Sequence, residues 1–66
     1  MSIETEMLKE TGRVQTIVQN LIHLAEEAIL DGKMDLAITL NKTANSLNNA
    51  ITPALVFELN KQEEAA

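Results

Sequence analysis

The sequence predicts an all-α protein: an antiparallel helical hairpin with a short third helix, completed as a helical bundle by self-association or by a partner chain. Two observations carry this. Apolar residues recur at alternating three- and four-residue steps along most of the chain, the period of a helix face buried against another helix. Two interruptions, Asp31-Gly32-Lys33 and Thr52-Pro53, cut the pattern into segments predicted at about residues 3–31, 34–51 and 53–63 of one domain spanning 1–66.

In the first segment Ser2 suits an N-cap, and Glu4 and Glu6 complement the helix dipole. Gly12 costs roughly 1 kcal/mol relative to Ala inside a helix, so a kink there, or an effective start near Thr11, is expected. Met7, Val14, Leu21 and Ala28 recur every seven residues, with Ile3, Ile17 and Leu24 on the alternating positions and Glu10 as the interruption. This is a heptad seam that faces a partner helix. Val18 and Ala25 widen it, and Ile22 and Ile29 extend it further, so the apolar arc between residues 17 and 30 spans on the order of 160°. One neighbouring helix cannot cover so wide a face.

Gly32 suits the left-handed residue that ends a helix, and the short connection around it makes the first two helices antiparallel neighbours. The second helix carries a narrower stripe of Ala37, Leu40, Ala44, Leu47 and Ile51, with Met34 near its start. Its alternation of small and large residues favours close helix approach, while Leu36 and Ile38 lie off the stripe. Pro53 suits the first turn of a third helix with Thr52 as its N-cap. There Leu55, Val56 and Leu59 form a short apolar face, Phe57 points elsewhere, and residues 61–66 are expected to fray.

Composition narrows the function. A chain of 66 residues buries only about 60% of its unfolded surface, so its core is marginal. With no cysteine and one histidine, His23, neither disulfides nor a zinc site of the usual ligands can staple it, which leaves association with another chain. Ten acidic against five basic residues, the latter scattered, argue against a nucleic-acid backbone or an anionic membrane as partner. No apolar run approaches the roughly 20 residues of a membrane span and no signal peptide is legible, so a soluble, cytoplasmic chain is expected. No nucleophile–base pair, glycine-rich phosphate loop or metal-ligand spacing occurs, so neither an enzyme nor a cofactor is expected.

Several residues invite a functional reading. His23 falls on the polar side of the first helix, where an exposed surface position is expected. Glu26, Glu27, Asp31 and Asp35 cluster around the turn without calcium-loop spacing and read as solvated charge. Asn41, Asn45 and Asn48 line one edge of the second helix's stripe, although Asn is a poor helix former. Asn41 and Asn48 lie close enough to the stripe to enter an interface and set its register, with an ordinary polar edge as the alternative. Phe57, the single aromatic ring, either anchors in a partner's pocket or plugs the end of the chain's own core.

Leu21, Leu24, Ala25, Ala28, Ala37 and Ala44 also fall at the spacing of alternating large and small packing positions, with Gly32-Lys33-Met34-Asp35 at an inter-helix turn. On these residues the stretch from Leu21 to Ala44 resembles one tetratricopeptide-type helical pair. It departs from that family at Asn41, where a large residue is preferred, and in a closing proline displaced to Pro53. An alanine-rich hairpin produces the same spacing, and repeat architectures need several stacked units. In size and layout alone, the chain also looks like the small helical-hairpin co-chaperones of type III secretion.

The functional expectation is a non-enzymatic protein–protein interaction module, an adaptor, co-chaperone or inhibitor, that binds a protein partner or itself, with a homodimer favoured. The candidate interface is Val18, Ile22, Ile29, Leu36, Ile38, Asn41, Asn48 and Phe57. The alternatives are a structural homo-oligomer subunit of a helical-bundle assembly and an oligomer that sequesters a small ligand.

Overall fold

The computed structural model describes residues 2–65 and consists of two helices packed as a hairpin, α1 (Ile3–Leu30) and α2 (Met34–Ala65). Ser2 is extended and its Oγ accepts the Thr5 N–H at 3.1 Å, an N-cap that satisfies one of the free donors of α1. The helix passes Gly12 without a break. It ends where Gly32 takes a φ of 76°. The Gly32 N–H donates to the Ile29 carbonyl at 3.0 Å and the Lys33 N–H to the Ala28 carbonyl at 2.8 Å. These paired bonds form a Schellman motif, which uses the left-handed residue to terminate a helix and reverse the chain.

The separate third helix is not observed. Pro53 lies inside α2, and Thr52 does not cap: its Oγ1 donates back to the Asn48 carbonyl at 3.0 Å. A proline inside a helix costs roughly 3 kcal/mol, because it lacks an N–H and crowds the carbonyl four residues back. Packing outweighs that cost here. Ile51, Leu55 and Glu58 continue the phase of Ala37 and Ala44, so a break at Pro53 would take the first half of α1 away from its partner, and Pro53 itself faces outward. α2 runs through Ala65, and residue 66 lies outside the described residues.

The buried seam consists of Thr11, Val18, Ala25 and Ala28 from α1 and Ala37, Ala44 and Ile51 from α2. Met7, Val14 and Leu21 on one side and Leu40, Leu47 and Leu55 on the other complete it as half-buried residues. The α2 stripe is the expected one. In α1 the row alternating with Met7, Val14, Leu21 and Ala28 is Glu4, Thr11, Val18 and Ala25, whereas Ile3, Ile17 and Leu24 are exposed. Both rows fit heptad spacing, and steric fit selects between them: small side chains opposite Ala37 and Ala44 let the helices close up, and Ile17 and Leu24 would hold them apart.

The resulting core is thin. Among the described residues, Val18 and Ile51 are the only buried side chains larger than Ala or Thr. The molecule measures 48 × 20 × 16 Å with a radius of gyration of 15.2 Å, against about 11 Å for a compact domain of this length. Among the described residues no helix is long and apolar enough to cross a membrane.

Candidate protein interface

Each helix of a two-helix hairpin buries one stripe and leaves a flanking row on either side of it. An open groove near the turn is lined by Leu24, Glu27, Ala28, Asp31, Lys33, Leu36 and Leu40. The rows of Leu24 and Leu36 therefore share one broad side of the hairpin, here the groove face, and the opposite rows share the other. On α1 that other side carries Leu8, Gln15, Ile22 and Ile29 at seven-residue spacing; on α2 it carries Met34, Asn41, Asn48 and Leu55. We term it the amide face.

Both faces expose apolar groups, but their electrostatics differ. The groove face joins Ile17, Leu24, Leu36 and Phe57 to Glu6, Glu10, Arg13, Glu27 and Asp31, and Arg13 pairs with Glu10 along it. The rows bounding the amide face are Thr5, Gly12, Gln19 and Glu26 on α1 and Ile38, Asn45, Thr52 and Leu59 on α2. Among the described residues of this face and its margins, Glu26 carries the only charge. His23 lies 3.7 Å from Glu26 on the outside of α1 with its side chain 77% exposed, and Lys9 and Glu6 approach to 3.8 Å. The acidic residues around the turn are exposed, and among the described residues no group of three or more His, Asp or Glu could hold a metal ion.

The sequence-predicted interface residues are thus divided. Val18 is 9% exposed and belongs to the hairpin's own core, so it is not available to a partner. Ile22 and Ile29 share the amide face with Asn41 and Asn48, and Ile38 stands at its margin. Leu36 and Phe57 fall on the groove face. Phe57 is 49% exposed beside Glu4, Asn60 and Lys61, so it does not plug the core. Leu8 and Met34 complete the exposed apolar rows; the seven-residue steps from Leu8 to Ile29 and from Met34 to Leu55 are the signal that finds them.

Comparison with protein-family models, curated proteins and solved structures finds no match to this chain.

Proposed function

We propose that this chain is a non-enzymatic protein–protein interaction module that holds a partner chain by helical packing, as an adaptor, co-chaperone or inhibitor does. The observation that carries this reading is the exposed apolar surface on both sides of a complete hairpin seam. Ile22, Ile29, Leu36 and Ile38 are 42–49% exposed, although each occupies a regular position on an otherwise well-formed helix. Exposed apolar surface on this scale marks interaction sites. A partner laid along either face would bury it and turn the two-helix layer into a bundle.

The test is affinity capture with the tagged chain, repeated with Ile22→Glu and Leu36→Glu, while circular dichroism monitors helix content. A specific protein, this chain included, retained by the wild type and lost with either variant at unchanged helicity supports the reading. A chain that stays monomeric and retains nothing refutes it.

A further inference from the structure

We infer that the partner is a second copy of this chain, seated amide face to amide face about a two-fold axis so that two hairpins form a four-helix bundle. The inference rests on the interaction reading above and names its occupant.

Area is the first support. The chain exposes 5054 Å², whereas a compact monomer of its 7.3 kDa mass exposes about 4,200 Å². The excess over the whole elongated hairpin, roughly 850 Å², is close to the about 800 Å² per partner buried in a standard interface.

Charge selects the face. The chain carries a net charge of −5, so two copies repel unless their contact excludes like charges. Joining two groove faces would gather Glu6, Glu10, Glu27 and Asp31 from both chains against only Arg13 and Lys33, a surplus of negative charge on each side. Among the described residues the amide face has only Glu26, at its margin near the turn. Interface centres are depleted of charge in the same way.

Self-complementarity selects the occupant. A two-fold interface sets a patch against its own copy, so every polar group must find its partner among the groups of that same patch, and a group on the axis meets itself. Apart from Glu26, the polar side chains here are carboxamides and hydroxyls, among them Gln15, Asn41, Asn45 and Asn48. Each such group both donates and accepts, whereas a charged side chain cannot satisfy its own copy. Asn41 and Asn48 share a seven-residue row with apolar Met34 and Leu55, the placement in which a buried amide fixes the register of paired helices.

Sedimentation and native mass spectrometry of the full chain provide the test, with Ile22→Glu and the near-isosteric Asn48→Asp on the amide face and Leu24→Glu on the groove face. Wild type and Leu24→Glu should run at twice the 7.3 kDa chain mass. Asn48→Asp should weaken dimerisation at least about tenfold at unchanged helicity, with partial recovery in about 1 M salt, where the screening length falls to roughly 3 Å. A wild-type monomer overturns the inference; if that monomer still captures another protein and loses it with Ile22→Glu, the interaction reading survives. A dimer broken by Leu24→Glu but not by Asn48→Asp overturns the choice of face.

Discussion

The two ends of the hairpin are built to different standards. At the turn, Ala25, Ala28, Ala37 and Ala44 are each at most 4% exposed, and the Schellman motif closes the connection. At the open end the seam includes Thr11, buried as a polar residue whose Oγ1 donates to the Met7 carbonyl at 2.8 Å, and it finishes in half-buried Glu4 and Glu58. Gly12 and Pro53, the two poorest helix formers inside the helices, also lie toward that end. The turn end is near its local optimum, while the open end depends on tertiary packing to overcome its own backbone preferences.

Substitutions at the two ends should therefore have opposite signs. The largest effect is expected from Pro53→Ala, which restores an N–H for the Asn49 carbonyl and should stabilise the fold by up to about 3 kcal/mol in urea denaturation at fixed protein concentration. If Pro53 instead opened a separate helix, the same change would be neutral or destabilising. Ala44→Leu should destabilise by about 1–3 kcal/mol, since the three added carbons of leucine overpack a seam position that is already 2% exposed. A neutral result would show that the turn end is as loosely packed as the open end.

The glycines sharpen the same comparison. An added Cβ meets nothing within 4 Å at either position, so space does not distinguish them. Backbone conformation does. Gly32→Ala forces a left-handed alanine and should cost about 1–2 kcal/mol. Gly12→Ala, in ordinary helical backbone, should gain about 0.5–1 kcal/mol, equivalent to a few degrees in thermal midpoint.

What was legible in the sequence follows the same division. Ser2 and Gly32 act through chemistry within a few residues of themselves, and both ends of α1 fall within a residue of expectation. The α2 stripe from Ala37 to Ile51 is also as read, because only one row there is continuously apolar. Thr52-Pro53 misleads because the pair has the same local signature at a helix start as within a helix; the deciding term is contact with α1, which no local window contains. The choice between the Ile17–Leu24 and Val18–Ala25 rows fails similarly, since hydrophobicity favours the larger residues and only the opposing alanines favour the smaller. The asparagine edge of α2 is visible in the sequence. Its juxtaposition with the uncharged flank of α1 emerges only once the antiparallel pairing is known.

The hairpin's thin core and its nearly uncharged amide face motivate the proposal that folding of this chain is coupled to a second copy. Thermal unfolding followed by circular dichroism at about 1 and about 100 μM chain tests it directly. A dimer that unfolds to separated chains should raise its midpoint by about 10 °C across that range, whereas a midpoint independent of concentration would contradict the claim.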